Sequence, residues 1–253
     1  LRGPFFLTRT KKSSTIYKMS SEVLDLSKVT YLCVLPSAIP RGDNNIETIL
    51  KIGYKTSKDI NFYNKIVYTP QKADCETYDF EVRQIENLDF HEYTPWLLKN
   101  SKDLFDSDFM INFHSNGMIQ NTKAWENDFL DYDYVGAPWN ASKNGGNGGF
   151  SLRSKYLCNR VSDIDLSSFN FEPSQQRVIS NNEDVIICTT SEDELKIQGV
   201  NFAPLEVNSK FSTEHFAYED ADFYNSFGFH EIEALYNPNV KQHRRKFLQN
   251  ILT

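Results

Sequence analysis

Long apolar runs are missing from this chain: no stretch approaches the roughly 18–20 residues needed to cross a bilayer, which excludes a membrane-spanning helix. An excess of positive charge is missing as well. The 27 Lys and Arg face 34 Asp and Glu, a net charge of −7, whereas a general nucleic-acid binder needs a basic face for its phosphate contacts. Nucleic acid is therefore excluded as a general partner, and an anionic small ligand would need local Lys or Arg, or a bound cation. Cysteine is scarce: Cys33, Cys75, Cys158 and Cys188 are the four in 253 residues, and none forms a C-x-x-C pair. A zinc framework is disfavoured and a disulfide scaffold is unnecessary at this length, so reduced, mostly buried thiols are expected. Internal repeats and low-complexity linkers are also absent, which favours one domain over two.

Acids are missing from the N-terminus before Glu22, while Arg2, Arg9, Lys11, Lys12 and Lys18 are all present. Residues 1–28 read as a poorly ordered basic arm or a fragment boundary, ahead of a single domain over 29–253. The apolar stretch Pro4-Phe5-Phe6-Leu7 is too short for a signal-peptide core. The glycosylation pattern Asn140-Ala141-Ser142 is too common by chance to imply a secretory route. What the chain has in plenty is aromatic side chains, 14% of residues with 19 Phe and 13 Tyr. Sugar-stacking proteins and well-filled cores share that signature, so it decides neither.

The order of elements is more informative. Thr30-Tyr31-Leu32-Cys33-Val34-Leu35 ends at Pro36 as a buried strand, and Ile46, Ile49, Leu50 and Ile52 recur at helical spacing. Lys65-Ile66-Val67-Tyr68 is a second strand ending before Pro70. Strand, helix, strand opens a mainly parallel α/β sheet flanked by helices. Residues 94–105 carry a further helical pattern, and Phe109-Met110-Ile111-Asn112-Phe113 is a strand that runs into His114-Ser115-Asn116-Gly117. Open α/β folds place ligands at the carboxyl ends of such strands, so a site is expected near 114–117.

Three further segments have two readings each. Gly145-Gly146-Asn147-Gly148-Gly149 lets the backbone take positive φ or approach a ligand closely, yet it also reads as a turn before the strand Phe150-Ser151-Leu152-Arg153. Ser180-Asn181-Asn182-Glu183 fits a capping box that would employ Glu183 structurally and leave Asp184 to the helix dipole or to chemistry. The basic tail Lys241-Gln242-His243-Arg244-Arg245-Lys246 reads as a solvated final helix rather than a phosphate or membrane contact.

Several uncommon words then appear in order: Trp125-Glu126-Asn127-Asp128-Phe129-Leu130, Tyr132-Asp133-Tyr134-Val135-Gly136-Ala137-Pro138-Trp139, Gly146-Asn147-Gly148-Gly149-Phe150-Ser151-Leu152-Arg153-Ser154, Glu183-Asp184-Val185, Phe202-Ala203-Pro204, Phe211-Ser212-Thr213-Glu214 and Phe227-Gly228-Phe229-His230. Over roughly half its length the chain resembles a family of GT-A-type glycosyltransferase-like domains of bacteria and large viruses, catalogued chiefly as a domain of unknown function. The resemblance implies a single GT-A-like domain that moves a sugar from a nucleotide-sugar donor to a hydroxyl of a glycan, polysaccharide or glycoprotein. It also implies a cytoplasmic or host-cell cytoplasmic setting, with the domain possible within a longer multidomain transferase.

The resemblance assigns roles as well. Asp184, then Glu183, matches the acid motif beneath the acceptor in inverting enzymes, where a carboxylate takes the proton of the attacking hydroxyl. The donor is expected against His114, Asn116, Gly117, Asp133, Trp139, Gly148, Gly149 and Arg153, with Tyr134 as a further stacking candidate and base and ribose around residues 36–43. A divalent cation, Mn2+ or Mg2+, is expected on Asn116 and His230 with help from His114, offsetting the charge of the leaving diphosphate. The family has an Asp where this chain has Asn116. Weak metal binding, metal-independent transfer and a catalytically degenerate carbohydrate-binding or scaffold module therefore all follow from the same resemblance.

Overall fold

The computed structural model describes residues 23–36, 45–73, 77–139, 146–169, 171, 181–214, 222–232 and 237–253. The first 22 residues of the basic arm, Cys75, the glycosylation pattern at 140–142, Gly145, Ser180 and residues 37–43 of the expected nucleotide-base region lie outside them.

Strand β1 (Leu24–Val34) pairs in parallel with β2 (Ile60–Thr69), and β2 pairs in parallel with β3 (Glu81–Gln84). On its other side β1 pairs in parallel with β4 (Phe109–Asn112). The sheet then changes sense: β7 (Gly146–Ser154) runs antiparallel to β4 and to β6 (Tyr134–Pro138), giving the order β3-β2-β1-β4-β7-β6. A small second sheet stacks β5 (Gly117–Ile119), β9 (Gly228–His230) and β8 (Ser212–Thr213) in the order β5-β9-β8. The expected mainly parallel sheet is present, with an antiparallel pair appended. Because β1 already starts at Leu24 and pairs with Ile60, the folded domain reaches into the segment read as an arm.

Local sequence explains the helices. In α1 (Ile46–Ser57) the Asn45 side chain accepts the N–H groups of Glu47 and Thr48, while Ile46, Ile49, Leu50 and Ile52 form its buried face. In α2 (Phe90–Asn100) Asp89 and Glu92 close a reciprocal capping box, followed by a 3₁₀ turn over Ser101–Asp103. The helices α3 (Lys155–Ser162), α4 (Glu183–Val185), α5 (Glu192–Ile197) and α6 (Leu205–Phe211) are short, and α7 (Pro238–Leu252) closes the chain with Pro238 at its first turn. Among the described residues no helix is long and apolar enough to cross a membrane.

The core on the parallel side is a stack of rings. Tyr31 lies parallel to Phe62 at 5.1 Å and to Phe113 at 4.1 Å between ring centres, under the buried face of α1. Cys33, Cys158 and Cys188 are buried free thiols, and burial raises the pKa of each.

The C-terminal helix forms where the basic tail predicts one, but it is not solvated all round. Gln242, His243, Arg245 and Lys246 are exposed, whereas Arg244 is fully buried. Its Nη1 donates to the carbonyls of His230 and Glu231, both at 2.9 Å. Its Nη2 donates to the carbonyl of Thr213 at 3.0 Å and to the Thr213 hydroxyl at 2.7 Å, and the guanidinium lies 4.5 Å from the Phe229 ring centre. A charge pattern alone cannot distinguish this position from its solvated neighbours; the packing of α7 on the small sheet does.

Candidate functional site

The site grows from an irregularity in β7. Its ladder to β6 matches Ser151 with Gly136 and then Asn147 with Ala137, so residues 148–150 are looped out between consecutive rungs. The glycine segment is thus part of a buried strand from Gly146 onward rather than a turn before Phe150. Among the described glycines only Gly199 has a positive φ, so close approach is what requires glycine here.

A Cβ on Gly148 would lie 2.4 Å from Glu183 Oε1, 2.5 Å from Arg153 Nη2 and 3.0 Å from Asp184 Cβ. A Cβ on Gly149 would lie 2.2 Å from His230 Nε2, and one on Gly117 would lie 2.6 Å from the Gly149 carbonyl oxygen. The bulge therefore carries two poles on adjacent residues, one acidic and one built on histidine.

At the acidic pole, α4 begins at Glu183 with Asn182 as its N-cap and without a side-chain capping bond, so Glu183 opens the helix; Ser180, the cap read in the sequence, lies outside the described residues. Instead Glu183 Oε1 pairs with Arg153 Nη2 at 3.1 Å. Arg153 also donates from Nε to Ser151 Oγ at 3.0 Å, and its ring neighbour is Tyr134, 5.6 Å from guanidinium to ring centre. Burial works against the Arg153 charge, but Tyr134 and Glu183 more than offset it and hold its pKa above the ordinary value. Asp184 Oδ2 accepts the Gly148 N–H at 2.9 Å and Oδ1 accepts the Val185 N–H at 2.9 Å. Burial, followed by the adjoining Glu183 carboxylate, raises the Asp184 pKa to about 7 despite the Gly148 N–H and Arg153. The pair thus divides: Glu183 faces a permanent cation, while Asp184 can carry or release a proton near neutral pH.

At the histidine pole the chain turns back after β4, and His114 bridges to Gly117. Asn112 Nδ2 donates to the Gly148 carbonyl at 2.7 Å and faces His114 Nε2 at 3.5 Å. Burial, then the neighbouring His230 and Arg153, presses the His114 pKa down to about 3, so its imidazole is neutral. His230 Nδ1 meets Glu214 Oε1 at 3.1 Å; a carboxylate only accepts, so Nδ1 carries the hydrogen. Asn147 donates to the same Glu214 oxygen at 3.0 Å and accepts the Gly149 N–H at 2.7 Å, tying bulge and histidine together. The Asn116 carbonyl accepts the Glu231 N–H at 2.7 Å, which locks the turn to the end of β9.

The residues singled out in the sequence therefore fall into two sets. His114, Asn116, Gly117, Gly148, Gly149, Arg153, Glu183, Asp184 and His230 converge. Asp133 does not join them: its carboxylate takes the Ser154 hydroxyl at 2.5 Å and the Asn201 N–H at 2.8 Å, fastening the end of β7 to the segment at Asn201. Trp139 packs against the cluster of Tyr134, Ile187 and Phe202, and the fully buried Tyr134 donates its hydroxyl to the Gly146 carbonyl at 2.7 Å. Both serve as anchors of the strand. Arg153, expected against a donor, is 2% exposed and committed to Glu183. Asn112, Asn147, Ser151, Glu214 and Arg244 are site residues that composition and spacing did not single out. Asn147, Ser151 and Glu214 stand within the family-like words and were signalled there, whereas Asn112 and Arg244 stand outside them.

The donor set can be tested against a divalent cation. Mg2+ and Mn2+ seek oxygen ligands, chiefly carboxylates. Asn116 brings an amide, His114 and His230 bring imidazoles, and no group of three His, Cys, Asp or Glu side chains able to hold a metal occurs among the described residues. The residues described do not fit the expected cation.

With this geometry in hand, the likeness to known proteins can be placed. The chain is similar to the apo-form glycosyltransferase GlyE of Streptococcus pneumoniae TIGR4, with a TM-score of 0.52 at 12% identity over 89% of this chain and 62% of that one. It is less similar to S. aureus TarS 1-349, with a TM-score of 0.38 at 11% identity over 89% of this chain and 70% of that one. For the bifunctional IspDF of Campylobacter jejuni the TM-score is 0.37 at 10% identity, over 57% of this chain and 45% of that one. The chain thus spans less than two thirds of GlyE and of IspDF. The GlyE likeness supports the fold, a GT-A-like α/β domain, and nothing beyond it. No curated protein matches the chain in sequence. A family described as a protein of unknown function, DUF5672, matches residues 79–230, from the loop before β3 to His230, and the chain belongs to that family.

Proposed function

We propose that this chain transfers a sugar from a nucleotide-sugar donor to a hydroxyl of a glycan, polysaccharide or glycoprotein acceptor, with Asp184 as the base. The observation that carries the reading is the Asp184 carboxylate, buried, held by the Gly148 N–H and with its pKa raised to about 7, at the strand-end site of a GT-A-like fold. A base that titrates near the working pH is suited to accept a proton in the transition state. In the inverting step the acceptor oxygen attacks the anomeric carbon, its proton passes to Asp184, and the bond to the diphosphate oxygen breaks with its electron pair leaving on the nucleoside diphosphate. The Arg153–Glu183 pair holds the neighbouring carboxylate away from that role and keeps the bulge in place. The tight fit of Gly148 against Glu183 and Arg153, and of Gly149 against His230, ties both poles to the bulge beside the proposed base.

The experiment is a thermal-shift screen of nucleoside diphosphates and nucleotide sugars, in EDTA and in Mn2+, followed by a transfer assay with the best donor. Stabilisation by one nucleotide class is expected, since a ligand that binds only the folded state raises apparent stability. A response confined to Mn2+ would return a cation to the site. Asp184→Asn is expected to lose transfer at least about a hundredfold, the usual worth of a general base, with nucleotide binding retained. Full activity in that variant retires Asp184 as the base. Glycan binding with no response to any nucleotide would replace the transferase reading by that of a binding module.

A further inference from the structure

Gly148 and Gly149, looped out between rungs to β6, are held by side chains. Asn112 Nδ2 and Ser151 Oγ donate to the Gly148 carbonyl at 2.7 and 3.1 Å, and Asp184 Oδ2 accepts the Gly148 N–H at 2.9 Å. Asn147 Oδ1 accepts the Gly149 N–H at 2.7 Å. This last bond closes an Asx turn, in which a side chain bonds the backbone two residues on and so fixes the residue between. That residue is Gly148, whose N–H meets the proposed base. With no side chain of its own to anchor it, Gly148 takes its direction from the bonds on either side. Asn147 is itself pinned: it is buried, and its Nδ2 donates to Glu214 Oε1 at 3.0 Å, the oxygen that also takes His230 Nδ1. A carboxylate only accepts and an N–H only donates, so the Asn147 amide has a single orientation.

We propose that Asn147 is a positioning residue for the base: by closing the turn onto the Gly149 N–H it aims the Gly148 N–H at Asp184 Oδ2, while Glu214 holds the amide in that role. This inference rests on the transferase reading above and adds to it the residue that tunes the pH at which the base is ready. A hydrogen bond to the ionised carboxylate favours that form and holds its titration down. Without the turn Gly148 is released and the Asp184 midpoint rises. The other charges that act on Asp184 are Glu183 on α4, which raises its pKa, Arg153 on β7, which lowers it, and Glu214 after β8, which raises it. Tyr93 of α2, Tyr134 of β6 and Cys188 keep their protons, since burial raises the pKa of each. Exchange of Asn147 for another neutral residue removes none of these groups.

The test compares Asn147→Ala, which loses the turn, with Asn147→Ser, whose hydroxyl can accept the same N–H across the same two residues but is too short to reach Glu214. Both variants give up the bond to Glu214, so the difference between them isolates the turn. The Asp184 carboxyl is followed by carbon-13 NMR between about pH 5 and 9, its signal assigned against Asp184→Asn, and transfer from the best donor of the screen is measured over the same range. In Asn147→Ala the midpoint is expected to rise by about one pH unit, the worth of one hydrogen bond to a charged group, and the acid limb of kcat/KM to move with it. Transfer near about pH 7 then falls roughly fivefold and returns by about pH 9. Asn147→Ser is expected to recover most of the shift. A midpoint that stays in its wild-type place in Asn147→Ala, or that moves equally in both variants, overturns the proposal. A lower melting temperature with an unmoved acid limb shows a structural role alone and overturns it as well. A wild-type chain that transfers from no donor, while the NMR midpoint moves as expected, overturns the transferase reading and supports the control of Asp184 by Asn147.

Discussion

Each pole of the site leans on a buried arginine, and the two arginines are solvated by the protein in opposite ways. Arg153, behind Gly148, meets a carboxylate at 3.1 Å and keeps its pKa above the ordinary value. Arg244, behind His230, is bonded to three carbonyls and a hydroxyl; Glu214 and Glu231 act on it only from beyond ion-pair distance, and burial pulls its pKa down. The first arrangement fixes a charge against a charge next to the proposed base. The second spends a charge on backbone, fastening the ends of β8 and β9 so that the His230 imidazole stays against Gly149. The difference shows that the acidic pole is held by one ion pair within the family-matched stretch, whereas the histidine pole is held from α7, beyond residue 230 where that stretch ends.

The comparison breaks most severely at Arg153. Arg153→Met leaves Glu183 buried without its cation and is expected to cost about 3–5 kcal/mol in denaturant unfolding. Arg153→Lys is not expected to recover it, because an ammonium cannot serve Ser151 and Glu183 with one planar fork. Arg244→Met removes a charge that has no ion-pair partner among the described residues, so its cost reduces to orphaned carbonyls, about 1–3 kcal/mol in the same measurement. An equal loss in both variants would show that Arg244 is also stabilised chiefly by charge. Gly149→Ala acts on the histidine pole alone: the added methyl overlaps the His230 ring, and overpacking of this kind costs about 1–3 kcal/mol. The His230 resonances in NMR are expected to shift while those of residues around Arg153 do not.

The last effect is a slope rather than a loss. Asp184 binds its proton more tightly folded than unfolded, with a pKa of about 7 against 3.8. Its stabilising contribution is complete below about pH 4 and is lost as pH rises through about 7. Denaturant midpoints from pH 4 to 8 are expected to fall less steeply in Asp184→Asn than in the wild-type chain. An identical slope would mean that another group governs that range.

Much of the parallel half was legible in the sequence because its signals are local. The apolar runs at 30–35, 65–68 and 109–113 could only be buried strands, and the spacing of Ile46, Ile49 and Leu50 could only be one buried helical face. The strand leading into His114 also pointed to the end of the sheet where His114, Gly148 and His230 come together. The antiparallel half was less readable. Gly146 to Gly149 look like a turn until β6 and β4 are laid on either side, and Glu183 looks like a cap until Arg153 is brought from 30 residues away. Arg244 is one basic residue among several until α7 docks.

By itself, then, the sequence determined a GT-A-like α/β architecture, the strand end at which chemistry is expected, and Asp184 as the acid to suspect. The α/β order and the strand end follow from hydrophobic periodicity and turn residues, which act within a few residues of one another, while the GT-A likeness and the choice of Asp184 are what the family resemblance implies. Only the tertiary structure decided which carboxylate is paired with arginine, which aromatics are anchors, and which arginine supports which pole. The physical reason is that burial, ion pairing and hydrogen-bond completion are set between segments far apart in the chain, at distances that no local pattern encodes.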